Sequence, residues 1–209
     1  MDKAPEIFEK SNPWVRLALC VNIHVKKALL RVAHNEIMEP QVTAIPSDSM
    51  ALYTFLQNHK NKIQKSTHIK AHQKSILLPT NSQSVDSSSL DISLIRYLIQ
   101  TFNGIKNANN DWKEPAPTDQ TLCAYVFRAA NFRNQICHDN DVDKMDETTF
   151  EKKWKELKNI FQGLKYVEDV DDFKTETLDY KKLECVMLEG NYLAIRLFKT
   201  CERYISGKV

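Results

Sequence analysis

The sequence predicts an all-α protein, a bundle of about six to seven helices, and three observations carry that prediction. Apolar residues recur at helical spacing along most of the 209 residues. No stretch reads as a convincing strand. Only 4 glycines occur, at Gly104, Gly163, Gly190 and Gly207. They are too few and too scattered for the tight turns of a β-sandwich or barrel, or for a glycine-rich phosphate cradle. At 42% hydrophobic and 27% charged residues, the chain has an ordinary globular composition, and it is long enough to bury a core without staples.

The elements follow in order. Asn12-Pro13 reads as N-cap and first helical residue, and Trp14, Leu17, Val21, Val25, Ala28, Leu29 and Val32 continue the helix behind it. Pro40 and Pro46 mark a break, after which Ser47 or Asp48 can cap a helix carrying Met50, Leu52, Tyr53 and Leu56. Residues 80–89, TNSQSVDSSS, read as a polar loop. Leu90, Leu94, Ile95, Leu98, Ile99 and Phe102 form the stripe of a central core helix that ends near Gly104. Two prolines place a loop before Thr118 or Asp119, either of which can cap a helix from about Gln120 to His138. Phe150, Trp154, Leu157, Phe161 and Leu164 then repeat at four- and three-residue steps, with Gly163 near the end. A last helix is expected over residues 178–206. The expected organisation is a short arm (1–12), a helical domain (13–166), and a C-terminal helix region (167–209) packed on the bundle or extending a dimer interface.

Bulk properties narrow the function. A net charge of +2 argues against a polyelectrolyte binder acting through its whole surface. Cys20, Cys123, Cys137, Cys185 and Cys201 are odd in number and never spaced C-x-x-C, which fits reduced core thiols in a cytoplasmic protein. The polar start MDKAPEIFEKSNP is not a signal peptide. The apolar run Leu17–Ile23, hemmed in by Arg16 and Lys26, is too short to span a bilayer, so no membrane partner is expected.

Two stretches stand out. Between Met50 and Val85 there is no acid, while Lys60, Lys62, Lys65, Lys70 and Lys74 occur with His59, His68 and His72. This is either a solvated face or a surface that attracts phosphates. His68 and His72 are spaced for one helix face, but no cysteine or carboxylate joins them, and no metal site is expected. The second stretch is residues 122–138. On a helical wheel Leu122, Tyr125, Val126, Ala129, Phe132 and Ile136 share an apolar face, while Arg128, Asn131, Asn134, Gln135 and His138 form a hydrogen-bonding face. Arg133 breaks the pattern by falling within about 20° of Leu122. A guanidinium keeps its charge there, so it calls for a carboxylate such as Asp91, for carbonyls, or for a wet cleft.

The run Arg133-Asn134-Gln135-Ile136-Cys137-His138 matches R-N-x-x-x-H, a pattern expected by chance only about 0.01 times in such a chain. Leu90-Asp91-Ile92-Ser93-Leu94-Ile95 precedes it by one helix, and Phe150 and Trp154 follow it by one loop. Over residues 13–166 this order resembles the HEPN domains (higher eukaryotes and prokaryotes nucleotide-binding), in the branch found in the DAZ-interacting zinc-finger ubiquitin ligase and in many invertebrate immune-type proteins.

The resemblance implies an all-α bundle that pairs as a symmetric homodimer and, in active members, cleaves single-stranded RNA without a metal or other cofactor. By motif position, Arg133 and His138 would be the catalytic pair and Asn134 their polar helper. Arg128 and Asn131 would contact substrate, and Asp91 would support Arg133. The residue types suit the chemistry. The ribose 2′-OH is the nucleophile, an imidazole moves its proton near neutral pH, and a guanidinium offers several donors to the transition state. The products would be a 2′,3′-cyclic phosphate and a 5′-hydroxyl. Family analogy also implies a cytoplasmic, innate-immune setting within a larger multidomain protein. The alternative is a catalytically inactive dimerisation or RNA-binding module.

Overall fold

The structure, a computed structural model, describes residues 13–105, 113–138, 145–171 and 174. All regular structure among them is helical. The elements are α1 (Pro13–Cys20), a π turn (Val21–Val25), α2 (Lys26–Ala33), α3 (Ser49–Asn58), α4 (Lys60–Lys65), α5 (Ala71–Leu77), a 3-10 turn (Ser87–Ser89), α6 (Ile92–Phe102), α7 (Leu122–His138) and α8 (Glu147–Gly163). Counting α1, the π turn and α2 as one run gives 7 helices among the described residues, as expected for a HEPN-type bundle. The arm 1–12 and the helix anticipated over 178–206 lie outside the described residues.

Local chemistry sets the helix starts. Pro13 opens α1, where its missing N–H costs nothing. Of the two caps proposed for α3, Asp48 is the one used, its carboxylate accepting from the N–H of Met50 and Ala51 at 3.1 and 2.8 Å. Asp91 caps α6 through Leu94 N–H at 2.7 Å. The start of α7 lies about half a turn later than anticipated. A turn closed by Asp119 N–H on the Ala116 carbonyl comes first, and Thr121 then accepts from Ala124 N–H at 3.3 Å. Asp119 instead accepts from Thr121 N–H at 2.9 Å. The lysine-rich stretch holds two short helices, α4 and α5, each with one fully buried apolar side chain, Ile63 and Leu77. The π turn places Asn22 and His24 inside the protein, 4% and 5% exposed, which a regular apolar repeat does not anticipate.

The described residues form two compact units. The first holds 13–25, 131–138, 145–161, 167–171 and 174. Trp14, Leu17, Phe132, Phe150, Trp154 and Leu157 are buried in it. Arg16 stacks 4.4 Å over the Phe150 ring, donates to the Lys174 carbonyl and lies 3.5 Å from Glu147. Trp154 Nε1 and Lys158 Nζ both donate to Asp171, at 3.2 and 2.7 Å.

The second unit holds 26–105, 113–130 and 162–166. Here α2 lies against α6. Asn103, fully buried, donates from its side-chain amide to the carbonyls of Ala33 and Thr43 at 2.9 and 2.8 Å, and its backbone carbonyl accepts from Thr43 N–H at 2.9 Å. Gly104 follows at φ 73°, a left-handed turn that suits glycine. Gly163 serves another purpose. A β-carbon there would lie 2.3 Å from Tyr125 ring atoms, so only glycine allows α8 to end against α7.

No helix among the described residues is long and apolar enough to cross a membrane. Cys20 and Cys123 are buried, and burial pushes the Cys20 thiol well above the usual range, keeping it unreactive.

Candidate functional site

The R-N-x-x-x-H run occupies the last turns of α7, which is α-helical through His138. The described side chains of that helix end at Ile136. The two-faced pattern holds only in part. Val126, Ala129, Phe132 and Ile136 are buried as expected, Asn131 and Asn134 are half-buried and Gln135 is exposed. Leu122 and Tyr125, however, are only half-buried, and Ala124 and Phe127, on the side expected to be polar, are buried. Arg133, anticipated on the apolar side, is half-buried. Its Nε is shut off from solvent and has no hydrogen-bond partner among the described residues.

Arg133 does bond at its other end. Nη1 donates to Asn134 Oδ1 at 3.2 Å, so the motif's first two side chains are joined. Consecutive residues on a helix diverge by about 100°, and the contact requires the long arginine side chain to curl along the helix. The bond fixes the guanidinium and leaves the Asn134 amide N–H groups for another acceptor. Next to it, Lys153 of α8 donates to Gln135 at 3.3 Å, with its ammonium 5.4 Å from the Phe132 ring centre and 3.8 Å from Glu156. Sequence reasoning missed Lys153. Nothing distinguishes it from its neighbours Lys152 and Lys155 until α8 is laid beside the end of α7.

The remaining anticipated residues have other attachments. Arg128 donates from Nη2 to the carbonyls of Ala116 and Pro117 at 2.9 and 3.2 Å and lies over the Tyr125 ring. It therefore ties down the loop before α7. Asp91 is the N-cap of α6, and its second oxygen accepts from Gln73 at 3.4 Å. Arg96, not singled out beforehand, stacks 4.2 Å over Phe127 and donates to Gln100 at 3.0 Å. Burial pulls its pKa down from the usual guanidinium value. His68 precedes α5 and His72 lies within it, so the two do not share a helical face. No group of three or more metal-ligating side chains occurs among the described residues.

Positions 133 and 138 lie about 140° apart around the axis because the α7 backbone is regular between them, and the His138 side chain lies outside the described ones. A site that uses both must rely on the reach of the arginine or on a second copy of the motif.

A family model described as DZIP3/hRUL138-like HEPN matches residues 49–185, a span that contains the whole motif. The human E3 ubiquitin-protein ligase DZIP3 is 24% identical over 156 residues, covering 71% of this chain but 13% of that protein. No solved structure matches significantly.

Proposed function

The chain belongs to the HEPN family in its DZIP3/hRUL138-like branch, and from that premise we propose that it is a metal-independent endoribonuclease acting on single-stranded RNA. The observation that carries the reading is Arg133, a permanent charge held half-buried by Asn134 with a buried Nε that nothing described satisfies. Burying an unsatisfied donor on a fixed charge costs stability, and such a cost is commonly retained at sites that act on a ligand.

In this reading the guanidinium and the Asn134 amide hold the phosphate as charge builds on its non-bridging oxygens. His138 takes the proton from the ribose 2′-OH or returns one to the departing 5′ oxygen. The 2′ oxygen forms its bond to phosphorus as the 5′ oxygen leaves, giving the cyclic phosphate and a free hydroxyl. Since the two residues diverge along α7, two copies of the chain pairing motif to motif would complete the site. Asn131 and Arg128 would contact the strand beyond the cleaved bond, the latter through donors not used on the loop. Residues 13–166 would form the domain and 167–209 would support it or its dimer, in the cytoplasm.

The test compares wild type, His138→Ala and Arg133→Ala on single-stranded RNA in EDTA. Cleavage by wild type with a loss of at least a hundredfold in both variants is the expected outcome. Equal background in all three refutes catalysis. A second reading, a non-catalytic module, draws on the DZIP3 match, in which this chain corresponds to 13% of a ubiquitin ligase. RNA binding without cleavage would favour it.

A further inference from the structure

At the chain's own average of 27 acids in 209 residues, about five would fall between Met50 and Val85, and none does. The structure shows what becomes of the lysines there. Lys60, Lys62, Lys65 and Lys70 are exposed and Lys74 is half-exposed. None of the five pairs with a carboxylate among the described residues. By contrast, Lys153, Lys158, Lys165 and Lys174 each have an acidic partner. Two of the five lysines are held instead by carbonyls, Lys62 on Thr101 at 3.0 Å and Lys74 on Gln64 at 2.8 Å. A carbonyl fixes an ammonium without neutralising it.

Beside these charges lies a group of rings. Phe55 of α3, His59 between α3 and α4, and Phe102 at the end of α6 are each only half-buried. Their centres are 4.7 Å (Phe55–His59), 4.8 Å (His59–Phe102) and 5.5 Å (Phe55–Phe102) apart. Lys62 Nζ lies 4.9 Å from the centre of the Phe102 ring. Unneutralised lysines alone suit any polyanion. Accessible aromatic rings among them add a partner for unstacked bases, which a duplex or an acidic lipid surface does not offer.

We propose that α4, its junction with α3 and the end of α6 form a surface for single-stranded RNA. Lys60, Lys62 and Lys65 line the phosphates, and Phe55, His59 and Phe102 form a platform for one or two bases. The proposal rests on RNA being the ligand of this chain, and it does not require that the RNA be cut.

The test uses the full chain carrying His138→Ala and a fluorescently labelled uridine oligonucleotide of about a dozen residues, read by anisotropy at several salt concentrations. Lys60→Gln/Lys65→Gln is expected to weaken binding and to flatten the salt dependence by about 1.4 log units per decade, near 0.7 for each lost phosphate contact. His59→Ala is expected to weaken binding roughly tenfold with the salt slope unchanged. An unchanged slope in the lysine variant overturns the proposal, and so do failure to bind RNA at all and equal losses on duplex RNA of the same length. Lysine-dependent sedimentation with phosphatidylserine vesicles, without binding to the oligonucleotide, would assign the surface to lipid instead. The lysine variant changes only exposed side chains, so it remains informative if His59→Ala disturbs packing. The two proposals fail separately. With His138 restored, cleavage that ignores these substitutions keeps the nuclease and removes the surface. Substitution-sensitive binding with no cleavage in EDTA does the reverse.

Discussion

Arg133 is where the sequence was most informative about single residues. An arginine on an apolar wheel face is a local contradiction, and the structure keeps that contradiction by burying Nε without a partner among the described residues. What the wheel did not disclose is the Asn134 bond, because it depends on an arginine rotamer and not on helical position. Nor did it disclose that Arg128 is tied to loop carbonyls, since the loop conformation is set by proline-bounded turns. If Arg133 is kept for a ligand, its charge does not stabilise the fold. Arg133→Met keeps the aliphatic stem and removes the buried charge, so stability is expected to stay level or rise by about 1 kcal/mol while RNA cleavage is lost. Urea denaturation measures the first effect. A loss of more than about 2 kcal/mol would make the guanidinium a structural group and remove the argument built on it.

At the level of elements, legibility followed length and amphipathic contrast. The helices α6, α7 and α8 show apolar stripes three or more turns long, and their positions were readable within a few residues. The short α4 and α5 were not, since one buried residue each, Ile63 and Leu77, makes no periodic signal among lysines and glutamines. Their formation depends on packing within their unit, not on propensity. The end of α8 shows a different kind of constraint. Gly163 looked like an ordinary terminal glycine, yet the Tyr125 ring fills the place of its absent side chain. Gly163→Ala is therefore expected to destabilise by about 1–3 kcal/mol despite the higher helix propensity of alanine. The check is a double-mutant cycle. Adding Tyr125→Ala should make the alanine at 163 nearly neutral, whereas an equal penalty in both backgrounds would place the strain elsewhere.

Over the whole molecule, the response to acid follows from carboxylates that the fold holds below their usual pKa in both units. In one unit, Lys165 lowers Glu39, the Ser88 hydroxyl lowers Asp86, and the Thr121 N–H lowers Asp119. In the other, the Thr149 N–H lowers Asp146, and Lys158, then Trp154 Nε1, lower Asp171. A carboxylate with a depressed folded-state pKa binds fewer protons than it does unfolded, so stability rises with pH through its titration. The contribution is complete above the unfolded values of about 3.9 for Asp and 4.3 for Glu, and it fades as pH falls through the lower folded values. The urea midpoint is therefore expected to drop between pH 5 and pH 3. Full protonation of acids would also leave 29 lysines and arginines and 6 histidines unopposed, which adds general repulsion. Asp146→Asn and Asp171→Asn separate the two causes. Each removes one depressed carboxylate while only slightly changing net charge at low pH, so its midpoint should fall less steeply on acidification than that of wild type. Midpoint curves that run parallel in all three proteins would assign the acid response to net charge and not to these capped and paired groups.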